Sequence, residues 1–445
     1  MFRFIVAGGG NGGLVAAIHL AKAGHHVILF EKNRKENIGM PQTDAFDYDT
    51  FDYAGIPVAP YFKRGKNVIT FIPSDSELDP LTLPQVSENS FLVDRKELAD
   101  YLFTLAEEAG VEIKFGEGVT GPIILGNRVC GVTTEKGEYY CDLVIDACGI
   151  YSPIRCNLPQ HFGVNREIKK YDVIHSYRGY FNREQGAPEP VTDYNVYFKN
   201  DGNIGFSWLI TEFDRVDALI CRFYKPSDNE ILEILNSTHE ENPQMGLDLI
   251  YGGEHRIIPV CQPLAVLVNN GYAAVGDSAF MTVALKGSGI TYSMKAGKML
   301  ADCILNDENG CFDQESLWEY QGRFFKEIGT TACGIAMLKS MLPYMTAQDI
   351  NDMFRSKIIT TEELSLLWEN KLEAIFNTKS ISAVKDKIRL VRDNTKLKEV
   401  LGNLALWIGR FAVLQTSFPM KYNKKDISDW EQKYNSFFDS IRRKD

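Results

Sequence analysis

Hydrophobic and polar positions follow a strand-like or a helix-like period in successive parts of the chain. Apolar runs at residues 2–7 and 26–30 have the length of short buried strands, and the alanine-rich stretch 12–23 between them has helical composition. A helical period returns in DRKELADYLFTLAEEAG, where we expect Asp94 to cap the helix and Gly110 to end it. The chain therefore begins with a strand, a helix and a second strand.

Later segments have a different character. Between about residues 166 and 264 the sequence is rich in β-branched and aromatic residues, as in VIHSYRGYF and ALICRFY, which predicts mostly strands. GYAAVGDSAF then has the pattern of a strand and turn of a nucleotide fold, and the following chain is largely helical in pattern. We predict an α/β fold with a discontinuous Rossmann-like domain at 1–165 and 265–310, an inserted antiparallel β-sheet substrate domain at 166–264 and a C-terminal helical domain at 311–445.

The opening turn carries the glycine pattern of a dinucleotide site. Gly8, Gly10 and Gly13 match G-x-G-x-x-G between the first strand and the helix. This spacing allows a tight turn, leaves room for a pyrophosphate at the helix N-terminus and lets the helix pack closely on the strand. Glu31 follows about 20 residues on, where a carboxylate accepts the ribose hydroxyls. These features predict a bound dinucleotide rather than a purely structural glycine turn.

The same glycine pattern occurs a second time, in FGEGVTGPIILG, at Gly116, Gly118 and Gly121. Pro122 and a β-rich run to Val132 follow it, so no helix N-terminus is available to bind a phosphate. We predict that this second copy is a turn between strands.

Composition argues against several classes of protein. The 445-residue chain has a net charge of −11, which disfavours nucleic acid as a partner because phosphate binding needs clustered cations. Its nine cysteines include no C-x-x-C pair, which disfavours a zinc ribbon or a cysteine-ligated cluster and suggests reduced thiols. We find no targeting segment before the first strand and no apolar run near the roughly 18 residues of a membrane span. We therefore expect a cytoplasmic protein without a metal site.

Three further segments identify the nucleotide. DLVIDACGIYSPIR contains Gly149, GYAAVGDSAF contains Asp277, and FLVDRKELADYL places Arg95 before a helix. Together with the opening motif they resemble the FAD-binding domain of the flavoprotein monooxygenase and reductase superfamily, whose Rossmann-like domain is of the p-hydroxybenzoate hydroxylase-like type. The resemblance implies that Asp277 binds the ribityl chain of FAD and that Arg95 contacts the cofactor. In the alternative interpretation Asp277 is a plain turn residue.

The loop LKGSGI completes the predicted cofactor site. Gly287 and Gly289 would let the backbone approach a planar ring, and the positive end of the helix beginning near Ile290 would stabilise the negative charge of a reduced flavin at N1. A loop that only turns the chain is the alternative. The complete predicted set of cofactor-binding residues is Gly8, Gly10, Asn11, Gly12, Gly13, Glu31, Lys32, Arg95, Val119, Gly149, Asp277, Gly287, Gly289 and Ile290.

Within this superfamily the chain resembles the geranylgeranyl reductase family, including digeranylgeranylglycerophospholipid reductases, over most of its length. The resemblance rests on the FAD motifs, on IIPVCQPLAVLVNNGYAAVGDSAF before KGSGI, on SLWEYQGRFFKEIG and on IGFSWLI. The family has a Tyr-x-Trp-x-Phe-Pro motif on its substrate sheet, where this chain has Phe206 and Trp208 without the Phe-Pro ending. Such an aromatic pair suits a polyprenyl chain, whose burial is worth about 0.8 kcal/mol per methylene. The alternative is that both side chains face a core.

Two departures from the family lie near the expected chemistry. Asp44 stands where many archaeal members have the cysteine of a Gly-x-Pro-x-x-Cys stretch, and Ala284 and Lys286 stand where the family has proline and a small residue. The implied reaction saturates an alkene, with hydride from reduced FAD added to one carbon and a proton from an acid added to the other. Asp44 is the candidate acid if burial raises its pKa. Otherwise it is a solvated loop aspartate.

The FAD motifs alone leave other functions open. A monooxygenase or halogenase acting on an aromatic or other apolar small molecule would share the same FAD domain, and an electron-transfer dehydrogenase and a non-catalytic flavin protein are further alternatives. The reductase hypothesis implies an apolar small-molecule or lipid substrate and an external electron donor such as NAD(P)H or ferredoxin. It also leaves open a peripheral contact with a membrane.

Overall fold

The computed structural model of the chain describes residues 1–65, 68–83, 90–164, 166–198, 205–369, 371, 378–391 and 393–443. Its strands and helices are, in chain order, β1 (Arg3–Ala7), α1 (Asn11–Lys22), β2 (His26–Glu31), β3 (Thr43–Asp47), α2 (Thr50–Ala54), β4 (Lys63–Gly65), β5 (Ile69–Ile72), β6 (Leu81–Thr82), β7 (Ser90–Asp94), α3 (Arg95–Glu108), β8 (Glu112–Phe115), β9 (Val119–Leu125), β10 (Arg128–Thr134), β11 (Gly137–Tyr140), β12 (Leu143–Asp146), β13 (Val173–Arg183), β14 (Tyr194–Tyr197), β15 (Gly205–Thr211), β16 (Arg215–Arg222), α4 (Asp228–Glu241), β17 (Met245–Pro259), β18 (Val268–Asn269), β19 (Tyr272–Ala274), α5 (Ile290–Asn306), α6 (Trp318–Phe324), α7 (Thr330–Lys339), α8 (Ala347–Arg355), α9 (Thr361–Trp368), α10 (Thr378–Leu390), α11 (Thr395–Thr416) and α12 (Lys424–Ile441).

A six-stranded sheet underlies the glycine-rich turn. Its order is β18-β19-β12-β1-β2-β8, and every pair except β18 with β19 is parallel. The continuous apolar runs of β1 and β12 are buried, as expected for parallel strands that are covered on both faces. Helices α1 and α5 approach each other so closely that a Cβ on Gly297 would lie 2.2 Å from the carbonyl oxygen of Gly12. The predicted Rossmann-like fold is confirmed.

A seven-stranded sheet has the order β17-β13-β16-β15-β14-β5-β6. Side chains alternate between its two faces because the period of a strand is two. On β16, for example, Val216, Ala218 and Ile220 belong to the cluster that packs with Ile231 of α4. The intervening residues Asp217, Leu219 and Cys221 line a cavity on the opposite face.

The seven-stranded sheet differs from the predicted β-domain in two respects. It includes β5 and β6, which come from the part of the chain assigned to the nucleotide-binding domain. The segment 166–264 also contains α4, where mostly strands were expected. The seven-stranded sheet thus includes strands from outside the predicted boundaries at 166 and 264.

Two smaller sheets and a group of helices complete the described structure. The sheets have the orders β3-β7-β4 and β11-β10-β9. Helices α6 to α12 follow α5, and a π-helical segment, Phe325–Gly329, lies between α6 and α7. Their packing centres on aromatic residues such as Phe325, Phe418 and Trp430, whose rings lie 4.2 to 5.1 Å apart. None of the described helices is long and apolar enough to cross a membrane.

The helix cap at Asp94 and the second glycine pattern both have the local structure that the sequence predicts. The Asp94 carboxylate accepts hydrogen bonds from the N–H groups of Lys96 and Glu97, so it caps α3 as predicted. Gly116 and Gly118 lie in the turn between β8 and β9, and Gly121 lies within β9. The second glycine pattern is therefore part of a strand connection, without a helix behind it.

Candidate active site

A cavity of about 2200 Å³ lies between the glycine-rich turn and the seven-stranded sheet. Small-molecule sites typically have about 300–1,000 Å³, so this cavity has room for a large cofactor and a substrate together. One half is lined by the turns after β1 and β2 and by the loop before α5. We call this the nucleotide half. The other half, which we call the substrate half, is lined by the inward face of the seven-stranded sheet and by the end of α9.

Backbone geometry explains the glycines of the nucleotide half. Gly8 has a φ of +92°, and a Cβ there would lie 2.5 Å from the carbonyl oxygen of Ala147, so only glycine fits. A Cβ on Gly13 would lie 2.7 Å from the Ala147 Cβ, and Gly13 does not line the cavity. Gly13 therefore allows α1 to pack on the sheet, whereas Gly8, Gly10 and Gly12 shape the cavity wall.

The carboxylate at the end of β2 is held by main-chain donors. Glu31 accepts hydrogen bonds from the N–H of Gly9 at 2.9 Å and from the N–H of Asn33 at 2.8 Å. A Cβ on Gly9 would lie 2.4 Å from the Phe103 ring, so this position also needs glycine. The consensus spacing does not require glycine there, and sequence analysis missed Gly9.

Asp277 faces the cavity from the opposite side of the nucleotide half. Its Oδ1 accepts a hydrogen bond from the Thr282 hydroxyl at 3.2 Å, and its exposed surface belongs to the cavity rather than to the outside of the protein. Burial raises the pKa of the Asp277 carboxyl, although Thr282 and Arg95 oppose the shift. Such a group has few protein partners and can bind a hydroxylated ligand.

The substrate half has an aromatic wall. Phe206, Trp208 and Ile210 alternate along β15 and line the cavity, with ring centroids of Phe206 and Trp208 6.4 Å apart. Trp208 also packs against Tyr194 of β14 at 5.8 Å. Its Nε1 has no hydrogen-bond partner among the described residues. Phe206 and Trp208 are half-buried, and they line the cavity while also packing against the hydrophobic core.

Next to the aromatic wall, four charged residues form a chain of ion pairs across the cavity. Arg178 binds Asp217 with two hydrogen bonds, Nε to Oδ1 at 2.9 Å and Nη2 to Oδ2 at 2.6 Å. Arg178 Nη1 also donates to Asp44 at 3.1 Å, and Asp44 pairs in turn with Arg95. Arg178 and Asp217 are almost completely buried, which makes this network part of the cavity wall. The arginine and aspartate at inward-facing strand positions were a signal that sequence analysis did not use.

The network changes the interpretation of Asp44. Burial by itself would raise the pKa of this carboxyl, but the guanidinium groups of Arg95 and Arg178 outweigh it and hold the pKa below its usual range. The condition under which Asp44 was predicted to be an acid, a raised pKa, is therefore not met. Nor is Asp44 a solvated loop residue, because it lies in β3 with a side chain that is 19% exposed.

The loop before α5 connects the two halves. Lys286 lines the cavity, its Nζ donates to the carbonyl oxygen of Trp368 at the end of α9, and the ammonium lies 5.3 Å from the centre of the Trp368 ring. Trp368 packs against Phe71 and Tyr194 of the seven-stranded sheet. The helical region thus closes one side of the cavity. No local motif marks Trp368, and sequence analysis missed it.

The structure brings nearly all predicted site residues together. Except for Gly13, each of the following lines the cavity: Gly8, Gly10, Asn11, Gly12, Gly13, Glu31, Lys32, Asp44, Arg95, Val119, Gly149, Phe206, Trp208, Asp277, Gly287, Gly289 and Ile290.

Comparisons with known proteins identify the type of cofactor-binding fold and the relatives of the chain. The family of FAD dependent oxidoreductases matches residues 85–303, and the NAD(P)-binding Rossmann-like domain matches residues 6–54. The chain is similar to the digeranylgeranylglycerophospholipid reductase of Sulfolobus acidocaldarius, with 25% identity over 82% of each chain. It is also similar to digeranylgeranylglycerophospholipid reductase 2 of Methanococcoides burtonii, with 25% identity over 84% of this chain and 92% of the relative.

Two solved structures share the fold. A geranylgeranyl bacteriochlorophyll reductase-like protein from Thermoplasma acidophilum has a TM-score of 0.71 and 18% identity, covering 88% of this chain and 99% of its own. The myxobacterial chondrochloren halogenase, an FAD-dependent halogenase, has a TM-score of 0.59 and 18% identity, covering 98% and 97% of the two chains. Together the comparisons confirm the predicted resemblance to geranylgeranyl reductases, the FAD-binding fold and FAD as the cofactor.

The residues of the nucleotide half fit FAD on structural grounds. Helices α1 and α5 begin after Gly10 and Gly289, without a side-chain cap and without an acidic residue in the first turn. Their first N–H groups therefore point to the cavity as donors for an anionic ligand. Glu31 and Asp277 supply carboxylates for ligand hydroxyls on the two sides of this half.

Proposed function

We propose that this FAD-dependent oxidoreductase saturates double bonds of a geranylgeranyl or related polyprenyl chain. The observation that carries the proposal is the single cavity in which the FAD-binding turns and the aromatic wall of β15 face the same space. The curated relatives named as digeranylgeranylglycerophospholipid reductases support the same substrate class. When bound and reduced, FAD supplies a hydride for the reaction.

We assign the cofactor contacts by the chemistry of each group. The N-terminus of α1, with Gly10, Asn11 and Gly12, would hold the pyrophosphate. Glu31 would accept the ribose hydroxyls, and Asp277 would accept hydroxyls of the ribityl chain. The remaining predicted contacts line the same half of the cavity, and Gly287, Gly289 and Ile290 would lie beside the flavin ring.

The same reasoning assigns the substrate contacts. Phe206, Trp208 and Ile210 offer apolar area to an isoprenoid, and each buried methylene adds about 0.8 kcal/mol of binding free energy. Closure of the cavity by Trp368 would keep water from the alkene. Exclusion of water matters because an isolated alkene is a poor electrophile and must be held close to the hydride donor. Arg95 and Arg178 would keep Asp44 ionised. The three paired side chains would then form the part of the cavity wall next to the cofactor.

Reduction of a polyprenyl lipid has consequences for the electron donor of the protein and for its contact with membranes. The reaction needs an external electron donor, such as NAD(P)H or ferredoxin, to reduce FAD.

We further propose that the protein contacts a membrane peripherally, because Leu406 and Val413 of α11 are 66% and 70% exposed and lie seven residues apart on one helix face.

A second candidate function is supported by the ion pairs in the substrate half. A purely apolar chain gains nothing from Arg178 and Asp217, nor from the Arg215–Glu212 pair that lines the same cavity. A monooxygenase or halogenase acting on a polar aromatic molecule would use such groups. The halogenase that shares the fold over almost the whole chain makes this alternative concrete.

One paired experiment separates the two functions. Chemically reduced enzyme is mixed without oxygen with geranylgeranyl lipids, and in air with aromatic compounds in the presence and absence of halide. The proposed function predicts anaerobic products that carry two additional hydrogens per reduced double bond. Hydroxylated or halogenated products in air, with no saturated lipid in the anaerobic arm, would favour the second candidate.

A further inference from the structure

Lys286 occupies a fixed position at the junction between the two halves of the cavity. The N–H groups of Lys286 and Gly287 both donate to the carbonyl oxygen of Val283, at 3.0 and 2.8 Å, and the Val283 N–H donates to Ser288 at 2.8 Å. This closed turn sits against the seven-stranded sheet, because a Cβ on Gly287 would lie 3.5 Å from Ile258 of β17. The main chain therefore holds the Lys286 side chain at one place in the wall.

The Lys286 side chain points along that wall to the substrate half. Its ammonium donates to the carbonyl oxygen of Trp368 and lies beside the Trp368 ring. The Trp368 ring is 6.1 Å from the Tyr194 ring, which is itself 5.8 Å from Trp208. The ammonium has three N–H groups, of which the Trp368 carbonyl uses one. Among the described residues the Trp368 carbonyl is the one hydrogen-bond acceptor of this ammonium, and Lys286 lines the cavity.

We propose that Lys286 is the proton donor in the reduction of the alkene, an inference that rests on the proposed function. In this step one alkene carbon receives the hydride and the neighbouring carbon receives a proton from the Lys286 ammonium. The hydride brings two electrons from the reduced flavin, the π bond of the alkene and one N–H bond of Lys286 break, one C–H bond forms on each carbon, and Lys286 becomes a neutral amine. Water then returns the proton, and the external electron donor supplies the next electron pair.

Other acids that line the cavity are less suitable. Asp44 is held in its ionised form by two guanidinium groups. Burial raises the pKa of Asp217 and of Glu212, but Asp217 accepts hydrogen bonds from Arg178 with both oxygens and Glu212 is paired with Arg215. Burial raises the pKa of Tyr194 and of Tyr292 far above neutrality, which makes both phenols weak acids. Asp277 lies in the nucleotide half, where we assign it to the cofactor.

The electrostatic setting of Lys286 suits a proton donor. Burial lowers the pKa of its ammonium to about 8, although the carboxylates of Asp47 and Glu369 favour the protonated form. Because this pKa lies just above neutrality, Lys286 carries its proton at pH 7 and releases it more readily than an exposed lysine.

The test compares Lys286→Met and Lys286→Arg with the wild type and with Lys298→Met. Lys298 lies on the neighbouring helix α5 and pairs with Asp302 outside the cavity, so its variant controls for the loss of a lysine. The measured quantity is the single-turnover rate at which a geranylgeranyl lipid reoxidises the reduced enzyme without oxygen, followed over about two pH units on either side of the expected pKa of about 8. The FAD absorbance spectrum and the melting temperature of each variant show whether fold and cofactor are retained.

We expect the wild-type rate to fall as pH rises through about 8 because the ammonium form is needed, and Lys298→Met to behave in the same way. Lys286→Met should lose this inflection and react about 10²–10⁴-fold more slowly. Lys286→Arg should also be slow, because a guanidinium keeps the charge and the donors to Trp368 but does not release its proton. If Lys286→Arg reacts at the wild-type rate, or if the pH profile of Lys286→Met keeps the inflection near pH 8, Lys286 is not the proton donor.

A second readout does not depend on turnover. The pH dependence of acetylation of Lys286, measured by mass spectrometry on the resting protein, should have its midpoint near pH 8. A midpoint at the ordinary lysine value of about 10.4 contradicts the inference. If the wild-type enzyme saturates no geranylgeranyl lipid, the proposed function and this inference fall together. If the wild type reacts and the Lys286 variants match it, only the inference falls.

Discussion

In the nucleotide half of the cavity, short segments with glycine-rich turns present main-chain N–H groups and two carboxylates. In the substrate half, side chains from β13, β14, β15, β16 and the end of α9 form the wall, although these elements are up to roughly two hundred residues apart in the chain. A dinucleotide is bound by backbone geometry, which a local pattern encodes. A substrate is bound by side chains whose neighbours depend on the tertiary fold, so its identity has no comparable local code.

The largest expected effect concerns the first glycine turn. In Gly10→Val the branched side chain would start 3.3 Å from the Ala147 carbonyl oxygen and fill the space before α1, so we expect FAD binding to be abolished. The matched control is Gly118→Val in the second glycine pattern, which also lines the cavity but has no helix N-terminus behind it and where the new Cβ would meet Lys32 at 3.1 Å. FAD content per protein is read from absorbance. Equal loss of FAD in both variants would contradict the distinction between the two glycine patterns.

The substrate half should depend most strongly on its buried ion pair. Arg178→Met removes the cation that donates to both oxygens of Asp217, which is 1% exposed, and loss of one partner of a buried pair costs about 3–5 kcal/mol. Arg256→Met is the control, because the exposed Arg256–Glu254 pair should contribute about 0–1 kcal/mol. Urea unfolding measures both free energies. If Arg178→Met lowers the free energy of unfolding by less than Arg256→Met does, the network does not stabilise the fold.

Substitutions of Asp277 test the nucleotide half of the cavity, and we expect a smaller loss of FAD binding from them than from Gly10→Val. Asp277→Ala removes a charged acceptor worth about 1.5–3 kcal/mol, which corresponds to roughly 10- to 100-fold weaker FAD binding. Asp277→Asn keeps one acceptor oxygen and should lie between the alanine variant and the wild type. Titration of apoprotein with FAD gives the Kd values. Full FAD retention in Asp277→Ala would eliminate the ribityl assignment.

Trp208 should have the smallest effect on the protein itself. If Trp208 lines a substrate pocket, Trp208→Ala leaves the flavin spectrum and melting temperature nearly unchanged, while lost apolar contact of about 1.5–3 kcal/mol raises KM for geranylgeranyl lipids. Trp430 is 1% exposed in the helical core, and Trp430→Ala should instead lower stability by about 3–5 kcal/mol. A large fall in the melting temperature of Trp208→Ala would assign Trp208 to the core.

The sequence predicted the parts of the molecule whose information is local. The first strand, helix and turn, the Asp94 cap and the helix after Gly289 lie within one or two residues of their expected places. It did not predict that β5 and β6 join the seven-stranded sheet, because strand pairing over more than 100 residues leaves no local pattern.

In the candidate active site, too, the sequence predicted only those residues that belong to a local motif. The glycines and Asp277 could be found from their motifs, and all of them except Gly13 reach the cavity. The pKa of Asp44 could not be found in this way, because the shift depends on Arg178, which is 134 residues away and meets Asp44 only in the fold. Trp368 is also brought to the cavity only by packing of the helical region.

The most direct test of the central claim is a single turnover without oxygen. Fully reduced wild-type enzyme is mixed with a geranylgeranyl lipid, the return of the oxidised flavin absorbance is followed by stopped flow, and the lipid is then analysed by mass spectrometry. The account predicts that flavin reoxidation and double-bond saturation occur together, with one double bond reduced for each flavin reoxidised. Reduced flavin that persists in the presence of every polyprenyl lipid, and is reoxidised only when oxygen and an aromatic substrate are added, would contradict it.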